Sequence, residues 1–163
     1  MKKNNYNLKG IKHVYVPCVY IWQYIEKLFR NVISSYTYDE IKLPLLEKSS
    51  LFTKTLGNGS DIIKKEMFSF MDSKDRSLTL LPEGTSSCLK SLILDGMLRN
   101  KNTRNVWYIS PMFRKENIQK GRNRLFYQIG LESFGEKQYK IDIEHLVIMN
   151  KLFKFLGIND TIL

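Results

Sequence analysis

Cysteine is scarce in this sequence, with only Cys18 and Cys88 among 163 residues. The two residues are far apart and lack metal-ligand spacing, which argues against a zinc site. Isolated thiols of this kind are typical of reducing compartments. We therefore expect two reduced cysteines, no metal site and a cytoplasmic protein.

Long apolar runs are also missing. No run approaches the roughly 18–20 residues that a membrane span needs. The N-terminal MKKNNYNLKG has lysines but no apolar core behind them, so it does not resemble a secretory signal. We expect residues 1–8 to be loose and no membrane to be a partner. Apolar residues make up 43% of the chain, a globular composition that suits one domain.

Acidic residues are outnumbered by basic ones, 16 against 26, which gives a net charge of +10. One interpretation is a polyanionic partner such as nucleic acid, because lysine and arginine neutralise phosphates. The other is compositional drift in an AT-rich genome, which the abundant lysine, asparagine and isoleucine would also fit. Charge alone leaves both open.

Hydrophobic periodicity predicts helices and short strands that are close in sequence. Polar turns join the strands, which favours an α+β fold, an antiparallel sheet flanked by helices, over alternating βαβ units. A helix capped by Thr85 or Ser86 is expected after Pro82. The other predicted elements are helices at 18–36 and 142–156 and strands at 40–44, 65–70, 77–81, 105–114 and 124–134.

The last two strands predict a hairpin with two different faces, because side chains alternate along a strand. One face of the second strand carries a cation, an aromatic ring, an amide, a glycine gap and a carboxylate: Arg124, Phe126, Gln128, Gly130 and Glu132. The opposite face is apolar and should be covered by helices. The polar face is either a solvated surface or a ligand platform, and its arginines and Gly130 favour the platform.

Three segments of this hairpin resemble motif 2 of class II aminoacyl-tRNA synthetases in its histidyl form: Met112-Phe-Arg-Lys-Glu116, Gln119-Lys-Gly-Arg122 and Phe126-Tyr-Gln-Ile-Gly-Leu-Glu132. Upstream, residues 41–44 with Glu47 resemble the end of motif 1. Residues 61–70 resemble a stretch peculiar to the histidyl subgroup, and residues 77–85 resemble its substrate-amine segment. The resemblance implies a class II catalytic core, here a partial domain from residue 9 to 163.

The resemblance also implies roles for single residues. Arg114 is expected to be catalytic, contacting the ATP α-phosphate and the histidine carboxylate as they react. The ATP-binding residues are expected to be Arg114, Glu116, Arg122 and Phe126. The histidine-binding residues are expected to be Glu83, Gly84, Thr85, Arg114, Gln128 and Glu132. Gln119 and Arg122 are expected to contact tRNA, and Pro44 to lie at the interface of a homodimer.

The implied reaction is that of a histidine–tRNA ligase. Histidine and ATP, accompanied by Mg²⁺, would form histidyl-adenylate, and tRNA(His) would then receive the histidyl group. The family's motif 3 and anticodon-binding domain do not occur in these residues. We therefore expect the isolated chain to aminoacylate poorly, and a second polypeptide to be a possible source of motif 3.

Some positions depart from the family pattern, namely Leu81, Asn117, Ile118, Tyr127 and His13. Each departure could weaken the site without removing an expected primary ligand. A non-catalytic histidine-binding paralogue, such as the regulatory subunit of ATP phosphoribosyltransferase, is an alternative. A remnant RNA-binding or dimerisation module is another. Retention of Arg114, Glu116, Arg122 and Phe126 favours the synthetase.

Overall fold

The computed structural model describes residues 8–57, 59–98, 104–135 and 139–160. These residues form the predicted α+β fold, and the strands lie in two three-stranded sheets. The predicted loose N-terminus lies outside the described residues apart from Leu8. The elements are helix α1 (Cys18–Ile33), strands β1 (Asp39–Glu40) and β2 (Leu46–Lys48), helix α2 (Ser49–Leu56), a π-helix (Ile62–Glu66), strands β3 (Ser69–Met71) and β4 (Ser77–Leu80), helix α3 (Thr85–Leu94), strands β5 (Arg104–Phe113) and β6 (Leu125–Phe134), and helix α4 (Tyr139–Phe155).

The chain divides into two compact units. The first comprises Met1–His13, Lys42–Ser91 and Tyr108–Gly130, and the second comprises Val14–Ile41, Leu92–Trp107 and Leu131–Leu163. The single catalytic domain expected from residue 9 onward stays a prediction.

The first unit contains the antiparallel sheet β2-β4-β3. Its central strand carries the fully buried Thr79, whose hydroxyl is 2.6 Å from the Ser49 hydroxyl and 2.8 Å from the Ser69 hydroxyl. The predicted strand at 65–70 is wrong in its first part, because the π-helix continues to Glu66. Helix α2 was not predicted, since its eight residues are too few for a clear helical period.

A buried polar contact fixes helix α3 in this unit. The Ser87 hydroxyl donates to Glu47 Oε1 over 2.8 Å, and the Lys90 ammonium forms an ion pair with the same oxygen. Glu47 is 8% exposed, so its charge needs these partners. Helix α3 is thereby attached to strand β2.

The second unit is built around helices α1 and α4, which pack together. Helix α1 buries Phe29, Val32 and Ile33, residues at the three- and four-residue spacing of one helix face. The ring of Phe29 meets that of Trp107 edge-on at 5.3 Å between centroids. Strand β1 pairs with β5 in parallel, and it ends at Glu40. The predicted strand at 40–44 is therefore too long, and its parallel pairing was not expected.

A polar cluster is buried within the second unit. The Tyr38 hydroxyl donates to Glu144 Oε1 over 2.8 Å, and burial, the largest cause, raises the pKa of Tyr38 to about 12. The Ser133 hydroxyl lies 3.1 Å from His145 Nε2. Burial lowers the pKa of His145 below its ordinary 6.5, and the nearby Glu144 and Asp142 carboxylates oppose this shift. His145 is thus favoured in its neutral form.

Candidate active site

Arg114 is held by two backbone contacts at the end of β5. Its Nε donates to the Pro82 carbonyl over 2.9 Å, and its own backbone N–H donates to the Arg124 carbonyl over 2.9 Å. The guanidinium carbon lies 5.1 Å from the centroid of the Phe126 ring. These contacts fix the position of the guanidinium between the Pro82 carbonyl and the Phe126 ring.

A cleft of about 480 Å³ opens beside Arg114. Within it, Glu116 is shared by two cations. Its Oε1 is 3.6 Å from Arg114 Nη1, and its Oε2 is 3.6 Å from Arg122 Nη1. These separations exceed hydrogen-bond length, so both guanidinium groups keep donors for an anion. The lining residues are Glu66, Arg114, Glu116, Gly121, Arg122, Asn123, Phe126 and Tyr127.

This cleft brings together the four residues that the resemblance implied for ATP. A planar ring, two arginines and a carboxylate surround one space within the first unit. Arginine can form paired charge-assisted hydrogen bonds with phosphate, and an aromatic ring can stack on a base. The chemistry of the lining therefore suits a nucleotide.

The loop from 115 to 123 is anchored at both ends. At one end the Lys115 N–H donates to the Glu66 carbonyl over 2.7 Å. At the other, the Gly10 carbonyl accepts from the Arg124 and Leu125 N–H groups over 2.9 and 3.0 Å. Gly10 has a φ of +78°, and a Cβ there would lie 3.0 Å from the Arg124 backbone nitrogen. The anchoring therefore requires glycine at position 10.

The tip of this loop is a tight turn. Gln119 and Arg122 exchange backbone hydrogen bonds of 3.3 and 2.9 Å, and Gly121 provides the positive φ of +81°. Both side chains of the pair are exposed. This exposure leaves them accessible to a large partner, as their expected tRNA contact requires.

The turn from Leu81 to Gly84 is buried and precedes α3. The Glu83 carboxylate accepts from the Ser86 N–H, with distances of 3.1 and 3.3 Å to its two oxygens. Helix α3 begins at Thr85, and the predicted cap by Thr85 or Ser86 stays a prediction. A carboxylate has about four acceptor positions, so Glu83 can still accept from a ligand. Thr85 is exposed.

Gly84 and Gly130 make room for the same side chain. A Cβ at Gly84 would lie 2.2 Å from Tyr108 Cζ, and one at Gly130 would lie 2.1 Å from the same atom. Tyr108 is only 2% exposed. The gap at Gly130, interpreted from the sequence as room for a ligand, is thus filled by the Tyr108 ring. The expected histidine-binding role of Gly84 stays a prediction.

The predicted distribution of the hairpin faces also needs correction. Alternation puts Tyr108, Ser110 and Met112 on the same face of β5, and all three are buried. On the supposed core side of β6, Tyr127 is 46% exposed. Alternation identifies two faces but does not say which is covered. The end of the polar face, at Arg114 and Phe126, opens into the cleft.

Two polar side-chain atoms are buried without a hydrogen-bond partner among the described residues. They are Gln128 Oε1 in β6 and Nε of Arg124, the residue just before this strand. An unsatisfied buried acceptor costs roughly 1–3 kcal/mol. A ligand with an N–H donor, such as an ammonium group, would satisfy Gln128. Glu132 belongs to the second unit, where it is half-buried, and its place beside the other histidine-binding candidates stays a prediction.

Two residues important to the cleft and its support were missed by sequence reasoning, Glu66 and Tyr108. Glu66 was placed in a predicted strand, and Tyr108 was assigned no role. Gly84 and Gly130 were the sequence signal that could have indicated close packing against Tyr108. Pro44 is exposed, and its expected dimer contact stays a prediction.

The described residues offer no candidate metal site or membrane span. In the described part of the chain, no group of three or more His, Cys, Asp and Glu side chains is arranged to hold a metal ion. No helix within the described ranges has the length and apolar character needed to cross a membrane. Cys18 is exposed and Cys88 is buried, and both are free thiols.

Solved structures share this fold. The apo S. aureus histidyl-tRNA synthetase is 30% identical and aligns with a TM-score of 0.76 over 93% of this chain and 34% of its own. A Bacillus halodurans structure described as an ATP phosphoribosyltransferase regulatory subunit/histidyl-tRNA synthetase gives a TM-score of 0.79 over 98% of this chain and 40% of its own; at 21% identity it shows the fold alone. The fold is that of a class II aminoacyl-tRNA synthetase catalytic core.

Sequence comparison identifies the family within this class. The family model described as histidyl-tRNA synthetase matches residues 13–163. The histidine–tRNA ligase of Buchnera aphidicola subsp. Schizaphis graminum is 45% identical over 98% of this chain, and that of Francisella philomiragia is 44% identical over 86%. The chain belongs to the histidyl-tRNA synthetase family. It spans 37% and 33% of the length of these two relatives.

Proposed function

We propose that this chain contributes one wall of a histidine–tRNA ligase active site. The observation that carries the proposal is the fixed Arg114 guanidinium, held by the Pro82 carbonyl, facing Phe126 and lining a cleft with a second arginine. This arrangement would bind ATP with the base on Phe126 and the α-phosphate at Arg114. Glu116 and Arg122 would complete the contacts to the nucleotide.

Histidine would lie near the turn that precedes α3. Glu83 has acceptor capacity beyond its contact with the Ser86 N–H, and Gln128 Oε1 is a buried acceptor. An α-ammonium group is the donor that both acceptors would favour. Thr85 and Gly84 would assist there, and Glu132 would face the imidazole.

The proposed reaction has two steps. A histidine carboxylate oxygen attacks the α-phosphorus of ATP, forming a mixed anhydride while pyrophosphate leaves with the electrons of the broken P–O bond. A terminal ribose hydroxyl of tRNA(His) then attacks the activated carbonyl, and AMP leaves. Arg114 would orient the two reactants and stabilise charge on the α-phosphate, which is catalysis by positioning and electrostatics.

Magnesium would arrive with ATP, since it favours phosphate oxygens, water and one or two carboxylates. The cleft fits this arrangement because Glu116 would supply a carboxylate oxygen, although the described residues form no protein cage for an ion. The ion would neutralise phosphate charge. Arg114 and Arg122 would hold the remaining phosphate oxygens.

The proposed partners follow from the same family. The exposed loop tip with Gln119 and Arg122 would contact the acceptor end of tRNA(His). Two copies would form a homodimer with Pro44 at the interface, in the cytoplasm. The remaining length of the relatives, on the same polypeptide or on a second one, would supply the other groups of the site.

A non-catalytic histidine-binding protein is the second candidate. The shared fold of the Bacillus halodurans structure keeps this candidate in view. Such a protein has no use for Arg114, Arg122 and Phe126 around one cleft, so we favour the ligase.

Binding measurements on the purified chain separate the candidates. Isothermal titration with ATP, with histidine and with a tRNA(His) acceptor stem would be carried out separately. The ligase predicts that both small molecules bind. Histidine without ATP would support the paralogue, and RNA alone would support a remnant RNA-binding module.

A further inference from the structure

The π-helix lines the cleft but has no part in the function proposed above. Residues 61–70, which include it, resemble a stretch peculiar to the histidyl subgroup, yet that resemblance assigns no role to them. The π-helix ends at Glu66, and Glu66 is one of the cleft's lining residues. Helices of the π type are rare, and those that occur are frequently found at functional sites.

Glu66 is attached to the loop that carries the arginines. Its carbonyl accepts the Lys115 N–H over 2.7 Å, one residue after Arg114. The Lys115 ammonium lies 5.5 Å from the centroid of the Phe68 ring, which adds a second contact between the same two segments. The Met67 N–H donates to the Ile62 carbonyl over 3.1 Å and closes the π-helix. Glu66 is therefore a fixed part of the cleft wall.

The two carboxylates of the cleft differ in their surroundings. Glu116 lies 3.6 Å from both Arg114 and Arg122. Among the described side chains, Glu66 has no ion-pair partner within 4.0 Å, and it is half-buried. An unneutralised carboxylate repels phosphate oxygens. Beside a bound nucleotide, Glu66 is therefore suited to an uncharged part that offers a hydrogen-bond donor, and not to the phosphates.

We propose that Glu66 accepts a hydrogen bond from the exocyclic amine of adenine and so selects the base of the nucleotide. This inference rests on the proposed function, in which adenine stacks on Phe126. Hypoxanthine carries an oxygen in place of that amine. This oxygen and the Glu66 carboxylate would be two hydrogen-bond acceptors facing each other. A buried polar contact left unmade weakens binding. Glu66 is thus proposed as a specificity residue for adenine.

The test compares ATP with inosine triphosphate in equilibrium binding to the purified chain at fixed Mg²⁺. We expect the wild-type chain to bind ATP about tenfold more tightly, the ratio set by one hydrogen bond to a charged group. Glu66→Gln should weaken ATP roughly tenfold without weakening inosine triphosphate, because the amide can donate to the hypoxanthine oxygen. The preference would then disappear.

Lys65→Gln is the matched control, since Lys65 is exposed and adjacent but does not line the cleft. It should leave the ratio of the two affinities unchanged. The inference is overturned if the wild-type chain binds the two nucleotides equally, or if Glu66→Gln keeps the preference. Equal weakening of both nucleotides would also overturn it and would indicate a contact with ribose, Mg²⁺ or the fold. A wild-type chain that binds neither nucleotide would overturn the proposed function as well.

Discussion

The two ends of the candidate site within the first unit are built differently. At the cleft, Glu116 is separated from both arginines by 3.6 Å, and Arg122 is 64% exposed. At the turn before α3, Tyr108 fills the space left by two glycines, and Glu83 is 8% exposed. One end thus keeps its charged groups available, whereas the other fixes its groups by close packing.

If this contrast is correct, substitutions that disturb packing should lower stability most at the turn before α3, where Tyr108 fills the space. Gly130→Ala would place a Cβ 2.1 Å from Tyr108 Cζ, and we expect it to lower the free energy of unfolding by about 3 kcal/mol or more, the upper range for overpacking. Urea denaturation measures this change. Gly59→Ala is the control, because nothing lies within 4 Å of its Cβ position. An equal effect of both substitutions would contradict the packing account.

At the cleft, substitutions should weaken ligand binding more than they lower stability. Arg114→Ala should weaken ATP binding by about 30-fold, since it removes charge-assisted hydrogen bonds to phosphate. It should affect stability much less than Gly130→Ala. Arg76→Ala controls for net charge, because Arg76 is paired with Asp72 on the surface at 2.6 Å. Titration calorimetry that finds the two variants alike would remove Arg114 from the proposed site.

Substitutions of Glu83 should affect both histidine binding and stability. Glu83→Gln keeps an acceptor for the Ser86 N–H but loses the charge, so we expect histidine binding to weaken about tenfold with stability nearly unchanged. Glu83→Ala should also lose about 1 kcal/mol of stability by removing the contact at the start of α3. Calorimetric binding and urea denaturation separate the two effects. Unchanged histidine affinity in Glu83→Gln would show that the carboxylate is structural only.

The smallest expected effect lies outside the site, at His145. Because burial lowers the pKa of His145 below 6.5, the unfolded chain takes up a proton at pH values where the folded chain does not. Stability should therefore fall as the pH drops below 6.5 towards the folded-state pKa. His145→Gln should lessen this fall in urea denaturation at pH 7.5 and 5.5. An identical pH dependence in the variant would contradict the assignment.

The elements that the sequence predicted well have long, regular periods. Helix α1 and the strands β5 and β6 were predicted with ends within about three residues, because repeated apolar positions reported their packing. The short elements between residues 46 and 71 were largely missed. Their few residues give no period, and hydrogen bonds such as that between Ser49 and Thr79 determine their arrangement.

The cleft was easier to predict than its support. The alternation of β6 brought Arg124, Phe126 and Gln128 to one face, and the family resemblance implied ligands for Phe126 and Gln128. Neither could show that Tyr108 fills the space at Gly130, since that contact depends on the distance between strands. Glu66 was missed because a π-helix has no sequence signal that distinguishes it from a short strand.

The most direct test of the central claim is amide chemical-shift mapping of the isotope-labelled chain by nuclear magnetic resonance. ATP should shift the amides of Arg114, Glu116, Arg122 and Phe126. Histidine should shift those of Glu83, Thr85 and Gln128. Shifts from ATP outside the cleft, or none from either ligand, would contradict the claim that these residues form one wall of a histidine-activating site.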